Sequence, residues 1–432
     1  MQTNRACLSI ASIMFIAWGI ATMPIPAAIA ADSFPPVSDL PASKQLPDPL
    51  VMLSGERIAS REAWEAKRKP ELAQLFQHYM YGYFPKEKIT VTGRVDREDQ
   101  EYFGGKATKR QVTLDLGHKT LPKINLLVVV PNKRTGPAPV FLGINFCGNF
   151  AVLPDADIPL TDAWVYDSCA GQQNNRATEA SRGKQTDMWA IEQTIDRGYA
   201  VALFHTADVD PDKNDFSDGV HPHFVPDGQR RNDDDWGTIA AWAWAMSRAV
   251  DYLVTDKDLD AKRIAAVGHS RNGKTSLLAG AFDERIALAI PHQAGCGGTA
   301  PSRGTVGESV TRINTSFPHW FCGNFKQFND RPERLPFDQH CLVAMMAPRP
   351  VLLSNAVEDQ WANPSGQFEV LQGARPVYKL YGADDLDDAK MPPLGKLIDG
   401  KLGYYIREGK HSMTREDWKV FCDFADKHFG GK

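Results

Sequence analysis

The chain has little of what would mark a membrane, nucleic-acid or metal-binding protein. Seven cysteines are scattered through 432 residues. No two of them form a Cys-x-x-Cys pair, and their spacing is not that of a zinc site. Basic residues are in no excess, since 49 Lys and Arg stand against 53 Asp and Glu, a formal net charge of −4. A weakly acidic chain offers no electrostatic reason to bind nucleic acid. Beyond residue 30 no apolar run is long enough to span a bilayer. There is no internal repeat and no linker dividing residues 31–432, so one domain is expected there.

What is present is the balance of a folded enzyme, 43% hydrophobic and 24% charged, which excludes a disordered or fibrous chain. Residues 1–30 carry Arg5, the run LSIASIMFIAWGIA and then Ala28-Ile29-Ala30 before Ala31-Asp32. This reads as a cleavable signal peptide; an uncleaved anchor is the alternative. Cleavage would remove Arg5 and Cys7, taking the charge from −4 to −5 and leaving six cysteines. An exported protein can pair them, with a connectivity that spacing alone does not give.

Residues 32–58, rich in Pro and Ser, predict an extended lead-in wrapping the surface. Ser60 then caps a helical stretch, REAWEAKRKPELAQLFQHYMYGYF, expected to break at Pro70. The runs ITVTGRV, KRQVTLDL and INLLVVVPN predict strands with antiparallel neighbours. From about residue 138 short buried strands alternate with helices: PVFLGINF, YAVALFH, RIAAVGHS, ALAIPHQAG, PVLLSNAV and LGYYIREG. The fold class expected is α/β, a mainly parallel sheet covered on both faces with antiparallel strands at its start.

The stretch RIAAVGHSRNGKT places Ser270 between a buried strand and the helix that follows. It nearly matches the G-x-S-x-G elbow of serine hydrolases, with the second glycine one residue late. A sharp turn there exposes Oγ, and the helix N-terminus offers N–H groups to a developing oxyanion. A serine acting only as a helix cap would satisfy the same position. Later strands supply an acid and a base in the hydrolase order: PVLLSNAVEDQW ends in Glu358-Asp359, and YYIREGKHSMT ends in His411. Asp359 is the expected acid and Glu358 its rival. A surface histidine is the alternative for His411.

GHSRNGK, the pair Asp359 and Trp361 in EDQWANP, LPFDQHCLVAMMAPRPVLL, and GKHS together resemble carbohydrate esterase family 15, the glucuronoyl esterases. The resemblance covers roughly residues 60–430, and the family's elbow has the late glycine. It implies an α/β-hydrolase three-layer sandwich whose nucleophile is Ser270 and whose base is His411. Arg271 becomes an oxyanion donor through its N–H and guanidinium, although pairing with a surface carboxylate would also account for an arginine there. Lys274 and Trp361 contact the uronic acid, and Glu308, in VGESVTR, matches a sugar-contacting position loosely. Fungal members hold the acid after the strand following the nucleophile, where this chain has Gln293. Glutamine carries no charge, so Asp359 is favoured and Gln293 is left lining the pocket.

Two weaker patterns remain. His221 and His223, near Asp215 and Asp218, lack a third and fourth metal ligand and read as a loop over the site. Trp242 and Trp244 read as core, whereas Trp236 fits either core or a sugar platform. The function implied is hydrolysis of glucuronic acid esters, with or without a 4-O-methyl group, as in the lignin-carbohydrate links of glucuronoxylan. No cofactor or metal is required, and a secreted or periplasmic monomer is expected. The alternatives are an esterase of acetylated xylan or other small carboxyl esters, and a non-catalytic carbohydrate-binding protein.

Overall fold

The apolar runs become the strands of one nine-stranded sheet in the order β1-β2-β3-β5-β4-β6-β7-β8-β9. These are β1 Thr92–Glu101, β2 Ala107–Asp115, β3 Ile124–Pro131, β4 Ala138–Asn145, β5 Ala200–His205, β6 Leu259–His269, β7 Ile286–His292, β8 Val351–Ala356 and β9 Leu402–Arg407. The computed structural model describes residues 34–225, 228–386 and 390–430. The expected signal peptide lies outside the described residues.

Strands β1, β2, β3 and β5 pair antiparallel, and all pairs from β5 through β4 to β9 are parallel. Every residue of β5, β8 and β9 is buried, which is why those runs show no alternation of polar and apolar positions. The outer strand β1 is exposed and charged, TGRVDREDQE, a composition that discourages pairing with another chain.

Helices Ile191–Asp196 and Arg415–Phe429 pack on one face of the sheet, around Phe141, Val201, Val267, Ile290 and Trp418. The other face carries Thr238–Leu253, Arg271–Phe282 and Pro364–Leu380. Trp236, Trp242 and Trp244 are all buried, so Trp236 belongs to the core. Among the described residues no helix is long and apolar enough to cross a membrane.

The expected break at Pro70 does not occur. Ser60 Oγ accepts the Ala63 N–H at 3.2 Å, and the helical path runs from Arg61 to Tyr81. A π turn, Trp64–Arg68, comes immediately before the α segment Lys69–Phe76. The wider turn accommodates a ring that would clash with a carbonyl four residues back. The lead-in is fastened along its length: Ser43 N–H to Glu333 O at 2.8 Å, Arg303 to Gln45 O at 3.1 Å, and His340 to Pro47 O at 2.7 Å.

Strands β5 and β6 lie on opposite sides of β4, so the chain leaves their carboxyl ends in diverging directions. In open α/β sheets this reversal creates a crevice above the strand ends. The loop after β4 is closed by a disulfide, Cys147–Cys169, while Cys296, Cys322, Cys341 and Cys422 are free and buried.

Candidate active site

Ser270 occupies the turn between β6 and the Arg271–Phe282 helix with φ 59° and ψ −122°. A non-glycine residue at such angles is strained, and the neighbouring structure has to hold it there. Its N–H donates to His292 O at 2.9 Å, and its carbonyl accepts the Gly273 N–H at 2.9 Å. Two glycines permit the close approach. A Cβ on Gly268 would come within 2.0 Å of Asn272 O, and one on Gly273 within 2.9 Å of His292 O. The late glycine is therefore the residue that lets the helix pass the end of β7. Ser270 Oγ makes no cap hydrogen bond, so the cap alternative for this serine does not hold.

His411 Nδ1 lies 2.6 Å from Asp359 Oδ2. The Asp359 side chain is 3% exposed and that of His411 41%, so a buried carboxylate orients a ring whose other edge is open. Glu358, the rival acid, is exposed, and its backbone is held by its N–H to Gly409 O and by the Gln360 N–H to its carbonyl, each at 3.0 Å. Successive side chains at a strand end leave on opposite sides, and only Asp359 faces the histidine. Asp359 Oδ1 also accepts the Ala362 N–H at 3.3 Å, capping the turn that presents Trp361. Ser270 Oγ and His411 Nε2 have no hydrogen-bond partner among the described residues. The His411 ring lies 4.5 Å, centroid to centroid, from that of His269, the residue before Ser270, at a tilt of 38°.

Gln293 does not line the pocket. It is 1% exposed, and Oε1 accepts the Ser412 N–H at 2.9 Å while lying 3.2 Å from His269 Nε2. One amide oxygen thus ties the residue after His411 to the residue before Ser270. Burial, followed by the nearby His411 and His292, holds the His269 imidazole well below its ordinary range, so His269 is neutral. A neutral imidazole with Nε2 protonated is the donor that Gln293 Oε1 needs.

Arg271 and Lys274 crowd the serine because the helix places both above the same crevice. The Arg271 guanidinium pairs with the buried carboxylate of Asp212 and lies 4.3 Å from the Tyr166 ring centroid and 4.9 Å from that of Trp320. Lys274 is 5% exposed, and Nζ donates to Ala294 O at 2.5 Å. Burial lowers the proton affinity of its amine, opposed by the carboxylates of Glu308 and Asp359. Glu308 is half-buried rather than solvated. Burial raises its carboxyl, and the Lys274 and Arg271 cations pull it back. Its N–H donates to Trp361 O at 3.1 Å. Trp361 itself is 54% exposed, on the turn capped by Asp359 and bonded through its carbonyl to the Glu308 N–H.

The motifs missed Asp212, Tyr166, His319 and Trp320, which complete the surroundings of Arg271. They come from three separate loops, His319 and Trp320 sharing one, with no spacing to announce them. His221 is buried against Asp210 at 3.1 Å, and His223 lies 3.2 Å from Glu87. Among the described residues no group of three metal-ligating side chains assembles.

Residues 185–382, which include Ser270 and Asp359, match the model of the fungal glucuronyl esterase family. The chain is similar to carbohydrate esterase MZ0003 from an unknown prokaryotic organism, 46% identical over 389 residues, 89% of this chain and 90% of that one. A promiscuous CE15 esterase from a marine bacterial metagenome has 45% identity and a TM-score of 0.84, over 91% of this chain and 98% of its own. The glucuronoyl esterase from Solibacter usitatus has 37% identity and a TM-score of 0.84, over 91% of this chain and 100% of its own. Identity of this extent over about nine-tenths of the chain means that the chain belongs to carbohydrate esterase family 15, the glucuronoyl esterases.

Proposed function

We propose that the protein hydrolyses esters of glucuronic acid, including the 4-O-methyl form, through an acyl-enzyme on Ser270. His411 takes the Oγ proton as Ser270 attacks the C6 carbonyl, and returns it to the departing alcohol. Asp359 holds the tautomer that leaves Nε2 free to accept, and stabilises the imidazolium. The N–H of Arg271, in the first helical turn where no intrahelical acceptor exists, and its guanidinium stabilise the oxyanion. Water then repeats the sequence and releases the uronate. Lys274 retains two N–H donors beyond the one given to Ala294 for sugar hydroxyls, Glu308 offers an acceptor, and Trp361 a surface for the ring.

The observation that carries this reading is the 2.6 Å contact between Asp359 and His411 beside a strained Ser270 followed by a half-buried Arg271 and a buried Lys274. The natural substrate class is the ester between glucuronoxylan side chains and lignin alcohols. Export through a cleaved signal peptide fits the Cys147–Cys169 disulfide, a bond that persists in oxidising compartments. A broader ester range is the second reading, favoured by the description of the 45% identical relative as promiscuous.

The test is hydrolysis of a methyl or benzyl glucuronate ester beside an acetyl ester, with the mature protein and its Ser270→Ala variant. Serine-dependent preference for the uronate is expected. Equal turnover of both esters would select the broader reading, and turnover that survives Ser270→Ala would remove the nucleophile.

A further inference from the structure

We propose that Asp212 is the positioning residue of Arg271, a buried anion that fixes the guanidinium before the oxyanion forms; the inference rests on the oxyanion reading of Arg271 given above. The two residues reach each other across the crevice. Asp212 lies on the loop leaving β5 and Arg271 on the helix leaving β6, the two strands that flank β4.

Both carboxylate oxygens of Asp212 are committed. Oδ2 accepts from Arg271 Nη1, while Oδ1 accepts Trp320 Nε1–H at 2.8 Å and His319 Nε2–H at 2.9 Å. Burial raises the Asp212 carboxyl, but the Arg271 cation and the His319 and Trp320 donors outweigh it and keep the carboxylate ionised. Aromatic walls finish the box: Tyr166 on the disulfide loop, and Phe317 stacked on Trp320 with centroids 3.8 Å apart.

A purely stabilising role would be an uneconomical use of such a pair, because replacing a buried ion pair by apolar groups is often neutral or favourable. What the pair does supply is fixed direction. An arginine side chain is long and rich in rotamers, and an electrostatic catalyst works best when it does not reorganise during the reaction. Asp212 engages one Nη, so the remaining guanidinium donors are held in place for a developing charge.

The test is a double-mutant cycle on whichever ester the wild type turns over, with Asp212→Asn, Arg271→Met and the double variant. Asp212→Asn is expected to lower kcat by about 10–100-fold with KM changed less than about threefold, and the double variant to be no slower than Arg271→Met alone. A merely structural aspartate would impair both backgrounds by the same factor, and that additivity would overturn the proposal. Unchanged kcat in Arg271→Met would instead overturn the oxyanion reading beneath it. Should Asp212→Asn not fold, Trp320→Phe removes a single donor to Asp212 and enters the same cycle. A kcat loss present in wild type and absent in the Arg271→Met background supports the proposal, and equal losses sink it.

Discussion

Gln293 Oε1 accepts the backbone N–H of Ser412 at 2.9 Å, so an uncharged side chain on β7's exit loop fixes the segment that carries His411. Gln293, where the family resemblance would put a fungal member's acid, instead anchors the segment of the proposed base. Gln293→Leu should leave the Ser412 N–H and His269 Nε2 without their acceptor, at about 1–3 kcal/mol each. Denaturant unfolding should show a loss of about 2–6 kcal/mol, and kcat should fall about tenfold with little change in KM. Wild-type kcat in a destabilised variant would mean that the loop holds its place without the amide.

Asp359→Asn removes the charge that the imidazolium needs and should lower kcat by about 10³–10⁴. Glu358→Gln, at an exposed neighbour, should stay within about twofold. Steady-state kinetics on the two variants separates them, and a reversal of the order would move the acid by one residue.

Lys274→Ala should reduce the preference for a glucuronate ester over a simple alkyl ester by at least about tenfold, because buried hydroxyl-binding groups discriminate strongly against substrates lacking the partner. The ratio of kcat/KM values is the readout. An unchanged ratio would confine Lys274 to its hydrogen bond with Ala294.

His205, at the end of β5, is 2% exposed, and burial lowers its imidazole from 6.5 to about 4. A depressed histidine is neutral in the fold and protonated more readily when unfolded. Its share of stability is therefore intact above about pH 6.5 and lost as pH falls towards 4, on the order of 3 kcal/mol across that window. Urea unfolding of His205→Gln at pH 7 and pH 4.5 should show a smaller acid penalty than the wild type. An identical pH slope would rule out His205 as a source of acid sensitivity.

Breaking Cys147–Cys169, which closes a 22-residue separation, should cost about 3 kcal/mol by loop-closure entropy. The Cys147→Ser, Cys169→Ser double variant should also lose kcat, since Tyr166 on that loop faces Arg271. Native-state alkylation followed by mass spectrometry should label none of the four buried thiols.

The sheet was legible because its signals are local. Continuous apolar runs such as AVALFH and VLLSNA report strands buried on both faces, and Gly268 to Lys274 report a strand-to-helix turn. Chain order placed an acid at Glu358-Asp359 ahead of His411, the family resemblance favoured Asp359, and the structure pairs Asp359 with His411. The path through Pro70 was not legible, since a π turn has no residue signature. Nor was the box around Arg271: Tyr166, Asp212 and Trp320 lie on three loops, and single residues of these types are ordinary surface or core until the sheet brings the loops together. Gln293 was misassigned because a polar residue beside an active site reads as a substrate contact, whereas its two partners are the protein's own.

Asp359 both orients His411 and caps the turn that displays Trp361, so in this chain the proposed base and the proposed sugar platform share one carboxylate. Redesign of substrate range is constrained by that sharing. Loop grafts at 360–362 intended to admit a bulkier or differently substituted sugar will disturb proton transfer unless the Ala362 N–H is kept. Variation at Glu308, which reaches the same sugar surface from another loop, leaves the cap untouched and is the more tractable route to new selectivity.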